Sequence, residues 1–242
     1  MNQAKPTYQQ VLDNCRVFVE NEGRQRYYTW ASKVMAEAWG QGRPGDIDVG
    51  GVVSGIMILE YSWNEMFYRD GLFDQSRLAE CVQKQMTLID AFRQCDLGSF
   101  KANDQGVISL LFVDFLDALG RQNSRLRSPV AVGKCLHLLS PRFFPLWDSH
   151  IAKGTGYYWG TPVNPSMAAK SYIDFMTFTQ ELVTHVMRDF AEKHGVPLGS
   201  ALDTILMEYE ATVERRATET TMLKLVDEYL YVEHTHPEWK KR

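Results

Sequence analysis

The stretch SPVAVGKCLHLLSPRFFPLWDSHIAK, residues 128–153, decides the predicted fold of this chain. It begins with an apolar segment of helical spacing that carries a Gly-Lys pair, and this helix must end at Pro141 because proline cannot continue it. Pro145 disfavours helical backbone at the residue before it, so residues 141–147 are predicted to form an extended connector. Asp148 then stands at the head of a second short helix, where aspartate is a favoured N-cap residue.

The connector is long enough to run back along the helix that it leaves. A helix over residues 130–139 rises roughly 15 Å, and seven extended residues reach about 23 Å. Gly133 would let another backbone come close, because glycine has no Cβ. We therefore expect Lys134 and Asp148 to lie near each other, beside two helix N-termini whose free N–H groups attract phosphate.

The rest of the sequence also favours helices. Apolar residues recur at helical spacing nearly everywhere, and alternation with a period of two is rare. These patterns predict an all-α fold, with residues 1–242 forming one compact multi-helix domain. The segment GVISLLFVDFLDALG, residues 106–120, is apolar on most sides and is predicted to be central. Other helices are predicted at 6–22, 24–38, 49–68, 74–94, 166–194, 198–215 and 217–233, and a flexible tail at 234–242.

Composition excludes several classes of protein. The 242 residues are 45% apolar, but no apolar run reaches the roughly 18 residues of a membrane span. The first residues, MNQAKPTYQQ, lack the pattern of a signal peptide, so a cytoplasmic protein is expected. The cysteines Cys15, Cys81, Cys95 and Cys135 are scattered and are predicted to be buried thiols. The sequence contains no P-loop, Rossmann, HExxH or GxSxG motif, and we predict neither a metal nor a cofactor.

Charge is distributed unevenly along the chain. The net charge of -4 argues against indiscriminate coating of nucleic acid, since such binding depends on neutralising phosphates. Residues 120–153 nevertheless contain six cationic residues opposed only by Asp148. This window is either a local surface for nucleic acid or an ordinary solvated face. Its cations are Arg121, Arg125, Arg127, Lys134, Arg142 and Lys153.

The order of these features resembles a known family. A basic loop, a Gly-Lys pair near a helix start, an apolar helix, an extended Pro-containing return and an Asp at the head of the next helix resemble the helix-hairpin-helix DNA glycosylases. The likeness is to their 8-oxoguanine-glycosylase-like bacterial branch, which includes enzymes used in defence against phages with modified DNA. It covers residues 120–153 and implies a hairpin-like helix pair followed by an extended return to a catalytic aspartate.

The resemblance also implies roles for individual residues. In that superfamily the hairpin grips the DNA backbone, a lysine can attack the sugar C1′, and an aspartate stabilises the sugar cation or activates water. These roles fall on Lys134 and Asp148, although a monofunctional enzyme needs only the acid. The resemblance implies double-stranded DNA as the partner, and the protein is taken to be a monomer. The expected DNA contacts are Arg121, Arg125, Arg127, Gly133, Arg142 and Lys153.

A flipped base needs an aromatic and polar pocket. The candidates for stacking on the base are Tyr61, Trp63, Tyr68 and Trp147, and those for contacting its edge are Glu60, Asn64, His137 and His150.

Two hypotheses follow from the sequence. The first is a DNA glycosylase without a cofactor, acting either on a modified base in phage DNA or, as an 8-oxoguanine glycosylase/lyase, on an oxidised base in repair. The second is a noncatalytic helical module that binds nucleic acid or a protein. In the second case Asp148 is only a helix cap, Lys134 is a surface residue or a phosphate contact, and the aromatic cluster at 61–68 belongs to the core.

Overall fold

Helical spacing in the sequence becomes helical structure throughout the computed structural model, which describes residues 5–40, 47–122, 124–212 and 220–241. These residues form eleven α-helices and three short 3₁₀ helices, with no strand beyond an isolated bridge between Phe73 and Arg121. The predicted all-α fold is confirmed. The helices are α1 (Tyr8–Asn21), α2 (Gln25–Trp39), α3 (Val49–Trp63), α4 (Glu65–Tyr68), α5 (Gln75–Arg93), α6 (Gln105–Ala118), α7 (Pro129–Leu139), α8 (Ser149–Thr155), α9 (Pro165–His194), α10 (Leu198–Thr212) and α11 (Met222–His234).

Helix α7 is the central helix. Residues 131–140 are all buried, and α7 packs against α2, α3, α6 and α9. The sequence predicted α6 in this position, but α6 exposes Val107 and Leu110, whose side chains are 41% and 71% accessible. The prediction therefore holds for the second half of α6, whose residues are mostly buried, and not for its start. An apolar pattern alone does not distinguish a helix surrounded by others from one that shows apolar residues to solvent.

The chain after α7 returns along it, as the sequence predicted, but the predicted extended connector over 141–147 is wrong for its first part. Residues 141–144 form a turn in which the backbone N–H groups of Phe143 and Phe144 both donate to the Ser140 oxygen at 3.0 Å. The backbone oxygen of Phe144 lies 2.8 Å from Nδ1 of His137, on the last turn of α7. Further along the return, a Cβ built on Gly133 would lie only 3.2 Å from Cβ of Trp147. Phe144 thus contacts the last turn of α7, and Trp147, later in the connector, contacts Gly133, which is earlier in α7. Residues 141–147 therefore run antiparallel to α7 and bring Asp148 back beside its start.

The end of the chain differs from the prediction. Residues 237–241 form a 3₁₀ helix, and the Trp239 indole stacks on His236 with ring centroids 4.2 Å apart and planes 5° apart. Lys240 also forms an ion pair with Glu233. The predicted flexible tail is therefore packed against α11 through Lys241. The predicted end of one helix at residue 215, the predicted start of the next at residue 217, and residue 242 lie outside the described residues.

One hydrophobic cluster, to which all eleven helices contribute, fills the interior. Cys15, Cys81 and Cys135 are buried in agreement with the prediction, Cys95 is half-buried, and all four are free thiols. In the described ranges we find no helix with both the length and the apolar character needed to cross a bilayer.

The contact at Gly133 yields a stability prediction. Gly133→Val should destabilise the fold by about 1–3 kcal/mol, because the added methyl groups overfill the space against Trp147 and Tyr172. Gly106→Val on the exposed start of α6 is the matched control, since nothing lies within 4 Å of its position. Urea unfolding of both variants measures the difference. Equal stabilities of the two variants would contradict the close packing.

Candidate functional site

A cleft of about 410 Å³ opens where α2, α3, α7, α8 and α11 meet. Its volume falls within the roughly 300–1,000 Å³ of typical small-molecule sites. Both predicted catalytic residues, Lys134 and Asp148, line this candidate cleft. The other polar and aromatic residues that line it are Arg24, Tyr28, Trp63, Asn64, Trp147, Ser149, His150, Lys224, Asp227, Tyr231, Thr235 and His236.

Lys134 is held by a break between α3 and α4. The sequence predicted one helix over 49–68, but the helix is interrupted at Asn64, where the backbone has φ -126° and ψ 28°. The backbone N–H of Phe67 donates to the backbone carbonyl of Asn64 and not to that of Trp63. The Trp63 carbonyl is thereby available, and the Lys134 ammonium donates to it at 2.7 Å.

Glu60 lies behind Lys134 and is completely buried. Its Oε2 accepts a hydrogen bond from Asn64 at 3.3 Å, and within the described residues its Oε1 has no hydrogen-bond partner. Burial raises the pKa of Glu60 to about 8, against the opposing effects of Lys134 and Asn64. Burial also lowers the pKa of Lys134, against the attraction of Glu60 and Asp148. Lys134 therefore loses its proton more easily than an exposed lysine does.

Asp148 has two roles in the structure. Its Oδ1 caps α8 by accepting from the backbone N–H groups of His150 and Ile151, both at 2.7 Å. Its Oδ2 accepts from the Thr235 hydroxyl at 3.0 Å. A carboxylate offers about four lone-pair sites, so these three donors leave capacity for one further partner. The half-buried side chain lines the candidate cleft, and that partner can come from the cleft.

The predicted aromatic platforms are less open than the sequence suggested. Trp63 is stacked with Phe18 at 6.5 Å, and the Arg24 guanidinium lies 4.6 Å from its ring centroid. Trp147 is only 1% exposed, and its ring packs between Trp159 and Phe175. Both residues form walls of the candidate cleft whose ring faces are already in contact with protein groups.

Two other candidates for the base pocket lie outside the cleft lining. Tyr61 lines a separate groove between α2 and α3, and the buried Tyr68 hydroxyl donates to the oxygen of Leu119 at 2.9 Å. Of the residues proposed for the base edge, Asn64 and His150 line the cleft, whereas Glu60 stands behind it.

His137 is also placed away from the cleft. It is fully buried, with Nδ1 beside the Phe144 carbonyl and Nε2 2.8 Å from the Tyr28 hydroxyl. A carbonyl can only accept, so Nδ1 carries the proton and Nε2 accepts from Tyr28. Burial lowers the pKa of His137 to about 4, so the neutral ring joins α2 to the return segment.

Only three of the predicted DNA contacts lie together. Arg121, Arg125 and Arg127 line an open depression of about 710 Å³ on the loop between α6 and α7, together with Arg77. Two of these arginines are paired with Asp117: Arg127 at 2.8 Å, and Arg77. The remaining residues do not join this group: Arg142 stands 3.9 Å from Asp96, Lys153 lies against Tyr158, and Gly133 is internal.

Sequence reasoning missed one wall of the candidate cleft. Arg24 reaches it from the start of α2, where it pairs with Glu22 at 2.7 Å and donates to Tyr231 at 2.8 Å. Lys224 and Asp227 of α11 form an ion pair at 2.7 Å. Nothing local in the sequence marks these residues, since they are distant from α7 along the chain. Thr235 and His236 could have been found, because the aromatic Trp239 beside them argues against a solvated tail.

No protein-family model, curated protein or solved structure matches the chain at a significant level. Across the described ranges there is also no group of three or more His, Cys, Asp or Glu side chains placed to hold a metal ion.

The burial of Glu60 predicts a pH dependence of stability. Its pKa is raised from 4.5 in the unfolded chain to about 8 in the fold, so the unfolded state releases the proton first as pH rises. Stability should therefore fall between pH 4.5 and 8, by on the order of a few kcal/mol relative to Glu60→Gln, which cannot ionise. Urea titrations at several pH values measure this difference. Glu80→Gln, at an exposed site on α5, should show no such trend, and a Glu60→Gln curve parallel to that of the wild type would refute the assignment.

Proposed function

We propose that this chain is a DNA glycosylase that flips a modified base out of DNA and hydrolyses its N-glycosidic bond, leaving an abasic site. The observation that carries the proposal is the joint exposure of a carboxylate, Asp148, and a buried amine, Lys134, to one cleft of about 410 Å³. These are the two residues to which the family resemblance assigns the chemistry. They are 14 positions apart in the sequence, and the return of residues 141–147 brings both to the same cleft.

The carboxylate supplies what this reaction requires. Positive charge develops on the deoxyribose as the N-glycosidic bond breaks, and a fixed carboxylate beside C1′ lowers the barrier electrostatically. The unused lone-pair capacity of Asp148 also suits it to orient the attacking water, which adds to C1′ as the base departs. Because Oδ1 and Oδ2 are already held by His150, Ile151 and Thr235, the carboxylate needs little rearrangement to act.

Lys134 gives the proposed enzyme a second step. An amine is nucleophilic only without its proton, and burial favours the neutral form of Lys134. Attack of this amine on C1′ in place of water would expel the base, and opening of the sugar ring with proton transfer from Nζ to O4′ would leave an imine, from which elimination of the 3′ phosphate cleaves the strand. Its hydrogen bond to the Trp63 carbonyl keeps Nζ at the wall of the cleft in either protonation state.

The DNA would be held outside the cleft. Arg121, Arg125 and Arg127 share an exposed depression, and guanidinium groups bind phosphates by paired hydrogen bonds. The net charge of -4 favours a selective enzyme over one that scans DNA tightly. The substrate base would be either a bulky modified cytosine of phage DNA, in antiviral defence, or an oxidised base such as 8-oxoguanine, in repair.

A noncatalytic binding module is the second candidate. The cap of α8 and the bond from Thr235 give Asp148 a structural role that needs no reaction, and this observation favours the alternative. In that case substitutions of Arg125 and Arg127 would weaken binding and flatten its salt dependence, whereas a change at Asp148 would have no effect on function.

Asp148→Asn separates the two functions. Asparagine caps a helix about as well as aspartate, so the unfolding midpoint in urea should be preserved. Base release from duplexes that carry 8-oxoguanine or modified cytosines, detected as alkali-labile strand breaks, should fall at least about 100-fold while DNA binding survives. Asp174→Asn on the surface of α9 is the matched control and should retain full activity. If folded wild-type protein releases no base from any of these duplexes, the glycosylase proposal fails.

Borohydride trapping tests Lys134. Wild-type protein incubated with substrate DNA and sodium borohydride should give a covalent adduct, because only an amine nucleophile forms a reducible imine with the sugar. Lys134→Gln should abolish the adduct, and Lys170→Gln, at an exposed lysine of α9, should not. Base release without any adduct in the wild type would assign Lys134 to binding and leave hydrolysis to Asp148.

A further inference from the structure

The C-terminal segment, residues 235–241, reaches the acid of the proposed reaction. Thr235 lies at the end of α11, with its backbone N–H donating to the oxygen of Tyr231 at 2.8 Å. Its hydroxyl donates to Oδ2 of Asp148 at 3.0 Å. The two residues are 87 positions apart in the sequence, so this bond joins distant parts of the chain at the candidate cleft.

Thr235 is itself held from both sides. Before it, the His234 ring packs directly on Gly154 of α8, leaving no space there for a side chain. After it, His236 lines the candidate cleft and is stacked on Trp239. Contacts on both flanks fix the backbone of Thr235, so the direction of its hydroxyl is determined by packing of the C-terminal segment.

The bond controls the orientation of the carboxylate. The N-terminus of α8 engages Oδ1 alone, and a carboxyl group held at one oxygen can still turn about its Cβ–Cγ bond, whose torsional preference is broad. A second donor on the other oxygen removes that freedom. The plane of the carboxylate, and hence the direction of its remaining lone pair, is then set with respect to the cleft.

We propose that Thr235 is a positioning residue for the excision reaction, in which its hydroxyl holds the Asp148 carboxylate in the orientation that faces the sugar. This inference rests on the proposed glycosylase function. Thr235 acts only through Asp148 and is not assigned a contact with the reacting atoms. The C-terminal segment is accordingly part of the active site.

The test compares Thr235→Val, which keeps the shape and removes the donor, with Thr235→Ser, which keeps the donor. With the duplex that gives the fastest base release, Thr235→Val should lower the single-turnover rate about tenfold, the size expected for one hydrogen bond to a charged group. DNA affinity, measured by fluorescence anisotropy, should stay within about twofold, since the change acts on chemistry and not on binding. Thr235→Ser should restore most of the rate. Thr204→Val, at an exposed threonine of α10, is the control and should behave as the wild type.

A double variant adds a coupling test. If the hydroxyl acts only through the carboxylate, adding Thr235→Val to Asp148→Asn should lower the rate no further. The positioning role is overturned if Thr235→Val excises at the wild-type rate, if Thr235→Ser is as slow as Thr235→Val, or if affinity and unfolding midpoint fall together with the rate. A wild type that releases no base overturns the proposed function itself, which is a different result from an active wild type with an unaffected Thr235→Val.

Discussion

The close contact between Gly133 and Trp147 is the constraint on which the rest of the structure depends. A Cβ at residue 133 would lie 3.2 Å from that of Trp147, so the absence of a side chain lets the return segment lie directly on α7. Because the return lies there, the Phe144 carbonyl bonds to His137, and Asp148 lines the same cleft as Lys134. A bulkier residue at 133 would push the segment outward and would open the candidate cleft on the side where the amine and the acid face each other.

The sequence predicted this region well because its signals are local. Pro141 ends one helix, Pro145 disfavours helical backbone before it, and Asp148 is a strong cap, so the short chain between them limited where the acid could lie. Residues 141–144 nevertheless form a turn instead of the predicted extended chain, because Phe143 and Phe144 both bond to the Ser140 oxygen. The break at Asn64 was not predictable in the same way. It depends on the Asn64 side chain bonding both Glu60 and Ser128, and Ser128 is 64 residues away in the sequence.

Contacts between distant segments account for the other errors. Arg24 reaches the candidate cleft only because α2 packs along α3, and no pattern within α2 marks it as a cleft residue. His137 shares the lysine's helix, yet it bonds to Tyr28 of α2 and is fully buried. The end of the chain was misjudged for a related reason. Its polar composition is typical of a tail, whereas a single tryptophan, Trp239, provides the stacking that holds it.

The charges of the candidate cleft explain what kind of ligand it suits. Two cations in its lining are paired with carboxylates, Arg24 with Glu22 and Lys224 with Asp227 and Glu228, and burial disfavours the charged form of Lys134. A phosphate entering this space would compete with carboxylates that already neutralise the cations. An uncharged nucleobase would not compete with them. The loop depression is open to solvent, and Arg125 is exposed there, whereas the Arg121 and Arg127 side chains are only 15% and 24% exposed and lie near Asp70 and Asp117. In the proposed enzyme the phosphates therefore bind at the loop depression, and the base enters the cleft.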